Sequence, residues 1–222
     1  LQPPFSCMPA TLSSIEAAIS PARLGRYMAA AQGDRNLALR LCVWNISLCE
    51  ALYMPVQFAE VALRNAICRA LETRYGAGWP HNAAFLCTLP MRLSGELNRA
   101  GETERQLHRD RTTPDHIVSA LSFGFWLHML TMNDQGSLWP IYFSISFPNK
   151  PQNIALRDLP RRADRLRILR NRIAHHKPIF DRGPVSDYDN IITLIEWISD
   201  ETAWFVRQTA RLSQTINQRP QS

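Results

Sequence analysis

From Asp34 to Tyr75 the chain reads DRNLALRLCVWNISLCEALYMPVQFAEVALRNAICRALETRY, and no glycine interrupts it until GAGWP at 76–80. Apolar residues recur at spacings of three and four along the whole stretch, which is the period of an amphipathic helix and not the alternation of a strand. The pattern therefore predicts helix over 34–75, split or kinked at Pro55, whose ring removes one backbone donor and crowds the preceding turn. Helical patterns recur through nearly all of the remaining sequence. The expected fold class is all-α, a helical bundle, organised as a single domain over residues 1–222 with flexible tails at 1–10 and about 214–222.

The other elements follow from local signals. Ser20 and Pro21 have the chemistry of an N-cap and first helical residue, predicting a helix to about Ala31 ahead of Gly33. A helix from Pro90 or Met91 to about Glu104 is expected, with the polar stretch 101–113 as a loop. Thr113 and Pro114 open TPDHIVSALSFGFWLHMLT, which is too apolar for a surface helix and is expected at the centre of the fold. Residues 133–153 mix Gly, Pro and aromatics without clear period, predicting a packed loop with short helical turns, or a strand around 141–147. A basic helix is expected from Ile154 or Pro160 to His176, stopped by Pro178, and a long amphipathic helix after FDRGPVSD.

Apolar residues make up 45% of the chain and charged residues 20%, a balance that excludes intrinsic disorder. No run approaches the roughly 18 uninterrupted apolar residues of a membrane span, and LQPPFSCMPA lacks the order of a signal peptide. The expected location is cytoplasmic, away from membranes. The five cysteines are scattered and form no CxxC pair, so neither a disulfide framework nor a zinc site is indicated, and no metal or cofactor is expected.

The net charge of +6 is concentrated. RDLPRRADRLRILRNRIAHHK at 157–177 holds eight Arg or Lys against two Asp, while the rest of the chain carries 17 basic and 17 acidic residues. A single basic helix of this kind is either a solvated face or a surface that meets a polyanion. Arg161, Arg162, Arg165, Arg167, Arg172 and Lys177 are the candidate RNA-binding residues on it.

On a helical wheel Leu159, Ala163, Leu166, Leu169, Ile173 and Ala174 form an apolar stripe, with Arg170 near its middle. A guanidinium there needs a partner, either an anionic ligand or a carboxylate such as Glu60 or Glu196. Asn171 and His175 share the flank of the stripe, and His175 and His176 occupy the last turn, where the helix end favours imidazolium. That position also suits a plain helix stabiliser. In combination, arginine can neutralise a phosphate and histidine can move the proton of an attacking 2′-hydroxyl, which is the chemistry of metal-free RNA cleavage. Arg170 and His175 point about 140° apart on an ideal helix, so one site needs either a distorted last turn or two copies of the helix meeting across a two-fold axis. A short echo, LRNAIC at 63–68, carries Arg69 where the histidine of LRNRIAH stands.

RNRIAH at 170–175 resembles the R-x4-6-H motif of HEPN domains, with a polar residue directly after the arginine. Three segments together resemble the bacterial Abi-like (abortive infection) proteins of that superfamily. They are EVALRNAI at 60–67, LSFGFWLHML at 121–130 with LW at 138–139, and LRNRIAHHKPIF at 169–180. The resemblance implies a HEPN-like helical bundle that dimerises, metal-independent endoribonuclease activity, and a role in phage defence or as a toxin, with an antitoxin protein or an RNA as further partner. By residue it implies Arg170 and His175 as the catalytic pair and Asn171 as the polar position, with His176 as a neighbour able to assist. Glu60, Arg64 and Asn65 match the pattern without an assigned role, and Glu60 precedes Arg64 in the order that favours a helical ion pair. The alternative is a HEPN-like module that binds RNA or a protein without cutting.

Overall fold

The computed structural model describes residues 6–131, 142, 145–155 and 157–221. Helices make up most of these residues, and no strand occurs among them. The fold is all-α.

Its centre is α3, Arg35–Tyr75, preceded by α1, Pro9–Ile19, and α2, Pro21–Ala30. Ser20 caps α2 by accepting from the Arg23 N–H, as the Ser-Pro pair predicts. Asp34 caps α3 through the Leu37 N–H at 3.0 Å. Pro55 lies buried within α3, and the helix continues through it without a break. One hydrogen bond is forfeited, but packing on both sides of Pro55 outweighs that loss: Leu48, Leu52, Val56, Ala59 and Leu63 are all buried. By length and composition α3 is long and apolar enough to cross a membrane. Neighbouring helices, most heavily α2 and the helix at Pro184–Glu196, cover one side of it, while Val43, Ile46, Tyr53 and Val61 stay exposed.

Next come α4, Ala83–Thr88, and α5, Met91–His108. The polar stretch expected as a loop therefore extends α5, ending in a 3-10 turn at Arg109–Arg111. Glu102, Arg105, Gln106 and Leu107 are good helix formers on an exposed face, and His108 adds an i,i+4 contact to Glu104 at 3.3 Å and stacks on His116 with ring centroids 3.9 Å apart.

The apolar segment expected as one central helix is two, α6 at Pro114–Ala120 and α7 at Phe123–Thr131. Ser122 makes the break: its Oγ accepts from the Phe125 N–H while its own N–H donates to Glu96. Phe123, Phe125, Trp126, Met129 and Leu130 of α7 are buried, consistent with the expected central position. The region 133–153 lies largely outside the described residues, Leu138 and Trp139 among it, and Ile145 and Ser146 are helical.

The basic helix is α8, Asp158–Ala174, with His175 as C-cap. The single helix expected after it is three pieces: α9, Pro184–Glu196, α10, Asp200–Thr209, and α11, Leu212–Ile216. Ser199 restarts the chain by capping α10 through the Thr202 N–H. Part of the C-terminal segment expected to fray is docked, since the Trp44 indole donates to the Thr215 carbonyl at 2.7 Å and Arg219 lies over the Trp44 ring.

Candidate active site

Leu159, Ala163, Leu166 and Leu169 are the buried residues of α8, which packs on α9 and α7. The apolar stripe ends there: Ile173 is half-buried and Ala174 exposed, so the last turn leaves the core. Arg170, expected on a buried face, sits where the stripe runs out, and its side chain is 42% exposed.

Three of the basic residues hold α8 in place. Arg165 donates to Asp187 at 2.7 Å and to Ser186, and Asp187 is only 1% exposed and also lies 3.5 Å from Arg182. Arg162 donates to Asn190, which donates back to the Arg162 carbonyl at 3.0 Å, and the guanidinium covers the Trp197 ring. Arg172 reaches forward to the Pro178 carbonyl at 3.1 Å. Burial first, then the nearby Arg182 and Arg26, hold the Arg172 pKa below the usual arginine value. Arg167 pairs with Asp164 one turn back. Arg161 and Lys177 are exposed and pair with no carboxylate among the described residues.

The end of α8 is a tightly built turn. The Lys177 N–H donates to the Arg172 carbonyl and the His176 N–H to the Ile173 carbonyl, which satisfies the orphan carbonyls of the last turn. His176 takes the left-handed position that glycine usually fills, with φ 55°. Just beyond Pro178, the Ile179 and Phe180 N–H groups both donate to the Asn45 side-chain oxygen on α3, at 2.7 and 3.2 Å. Phe180 stacks on Tyr27 of α2. His175 and His176 are thus exposed side chains on a backbone pinned from both sides.

Arg170 faces α3. Its Nε lies 3.3 Å from the Glu60 carboxylate, and its Nη1 donates to the Asn171 Oδ1 at 3.3 Å. Of the two carboxylates the sequence suggests, Glu60 is the partner, while Glu196 pairs with Arg207. Glu60, Arg64, Arg170, Ile173 and Ala174 line one cleft of about 390 Å³ between α3 and α8, together with Tyr53, Val56, Gln57 and Val61. Arg64 donates to the neighbouring Asn65 rather than pairing with Glu60, at 3.4 Å. A second cleft of about 430 Å³ shares Arg64 and continues past Asn65, Arg69 and Asp115. Cys68 lies on its wall, and burial, then Glu72, pushes the thiol up to about 12, which keeps it protonated.

The two sequence blocks at 60–65 and 170–171 therefore meet across one cleft, and His175 is not among the residues that line it. Tyr53 and Gln57 had no motif to announce them. Their signal is spacing: 53, 57, 60 and 64 fall on one face of α3. Among the described residues no group of three His, Cys, Asp or Glu is placed to hold a metal ion. The arrangement can neutralise a phosphate at Arg170 and Arg64, and can exchange a proton at the exposed imidazole of His175.

No protein-family model matches the chain, and neither the curated proteins nor the solved structures contain a match to it.

Proposed function

We propose that this chain is a HEPN-type, metal-independent endoribonuclease that acts as a homodimer in phage defence or as a growth-halting toxin. The observation that carries the reading is Arg170, half-exposed in a cleft and held by Asn171, five residues before a histidine exposed on a rigid turn. In the reaction the 2′-oxygen of a ribose attacks the adjacent phosphorus and the bond to the 5′-oxygen breaks, leaving a 2′,3′-cyclic phosphate and a 5′-hydroxyl. His175 takes up the 2′-proton or delivers one to the leaving oxygen, and Arg170 stabilises the charge on the phosphorane. Asn171 orients the guanidinium.

The dimer answers a geometric need. His175 is not among the residues that line the Arg170 cleft, which supports a second copy as the source of the imidazole that completes each site. Trp204 and Phe205, exposed on α10, offer apolar surface of the kind a second copy covers. A specific observation favours the runner-up, a non-catalytic HEPN-like module for RNA or a protein: in the free chain the Arg170 charge is already answered by Glu60. The deciding experiment is incubation of the purified protein with a panel of RNAs in EDTA. Cutting by the wild type that is lost in His175→Ala supports the nuclease; intact RNA throughout overturns it.

A further inference from the structure

The echo between LRNAIC and LRNRIA has a structural counterpart. In each copy the arginine donates to the Oδ1 of the asparagine that follows it, at 3.4 Å for Arg64 and 3.3 Å for Arg170. The two arginines come from different helices and line the same cleft, where Glu60 is the single carboxylate among the described residues, so the cations of this lining outnumber its carboxylate. An anion is the ligand that completes such a site.

The remaining lining says which anion. Tyr53 is an aromatic side chain left 62% exposed on the cleft wall, and among the described residues it belongs to none of the ring pairs that build the core. Gln57, one turn further along α3, brings an amide that can both donate and accept at a base edge. Val56 and Ile173 supply apolar surface beneath. An exposed aromatic ring beside paired cations is how single-stranded nucleic acid is held, the ring taking the base and the cations the phosphate. A cleft of about 390 Å³ is the size of one such unit, and a base already stacked and paired in a duplex is not free to enter it.

We infer that this cleft binds one nucleotide of single-stranded RNA, its phosphate on Arg170 and Arg64 and its base stacked on Tyr53. The inference rests on the RNA reading above and extends it to the substrate: single strands and loops enter, paired RNA does not.

The test is binding of a short labelled single-stranded RNA, of the same strand with its bases removed, and of the matching duplex, to His175→Ala protein of residues 1–222. Tyr53→Leu on that background is expected to weaken binding of the single strand about tenfold or more, while Tyr53→Phe stays near the parent. The abasic strand and the duplex should bind weakly and be indifferent to Tyr53→Leu. Arg64→Ala should lower the salt dependence by roughly one phosphate contact, which Tyr53→Leu should not. Single-strand affinity unchanged by Tyr53→Leu, or an abasic strand bound as tightly as the intact one, overturns the assignment. If the wild type cuts RNA and Tyr53 makes no difference, the subsite falls and the nuclease stands. If binding depends on Tyr53 but the wild type cuts nothing, the subsite stands and the nuclease falls. Absence of any RNA binding overturns both.

Discussion

Arg170 on α8 and Glu60 on α3 meet at 3.3 Å, Nε to Oε2, and this ion pair spans the cleft on which the functional reading rests. Because the guanidinium is 42% exposed, the pair is screened by water and contributes at most about 1 kcal/mol to folding. Arg170→Ala should therefore lower the melting temperature by no more than about 4 °C while abolishing RNA cleavage. A large loss of stability, seen by calorimetry, would instead make Arg170 a structural residue.

Glu60 opposes any phosphate that approaches Arg170. Glu60→Gln removes that opposition without changing the shape of the cleft, so RNA binding at low salt should tighten by about fivefold, an effect of roughly 1 kcal/mol. The gain should fade as salt is added. Anisotropy titrations across a salt series read both effects, and weaker binding would mean that Glu60 itself contacts the RNA.

Much of this cleft was legible in the sequence, and the reason is local chemistry. The Ser20–Pro21 start of α2, the period of α3 and the stop before Pro178 each depend on neighbouring residues only, and each is found as expected. Breaks set by tertiary contacts were not legible. Nothing in LSFGFW announces that Ser122 would cap a new helix while its N–H meets Glu96, 26 residues away. At Pro55 the chain does not split, because a buried helix held by its neighbours tolerates a proline that would break an isolated one. Charge patterning counted the arginines of α8 correctly but could not sort them: the buried carboxylate that claims Arg165 lies in α9, and the aromatic ring under Arg162 is Trp197.

Asn45 illustrates the same limit and gives a stability prediction. It is a lone amide in an apolar stretch, 4% exposed, and its value comes from two N–H groups 134 and 135 residues away. Asn45→Leu strands both donors in the interior and should cost about 2–4 kcal/mol in urea denaturation. Amide exchange at Ile179 and Phe180 should accelerate well beyond that of α9. Undiminished protection there would show that another acceptor serves them.

His176 sits at φ 55°, where a side chain is strained and glycine is not. The residue is exposed, so His176→Gly should raise stability by about 0.5–1 kcal/mol, the strain relieved less the extra entropy of glycine. Chemical denaturation of the two proteins side by side measures it. A loss of stability would mean that the imidazole makes contacts worth more than the strain.

The central claim, that one chain's arginine works with another chain's histidine, is tested by mixing two dead variants. Arg170→Ala and His175→Ala proteins should each fail to cut RNA in EDTA. After exchange of subunits, half the dimers are mixed, and one of the two sites in each mixed dimer has an intact Arg170 and an intact His175. The account predicts that cleavage returns to about a quarter of the wild-type rate. A mixture as inactive as its two components, measured beside an active wild type, would contradict it.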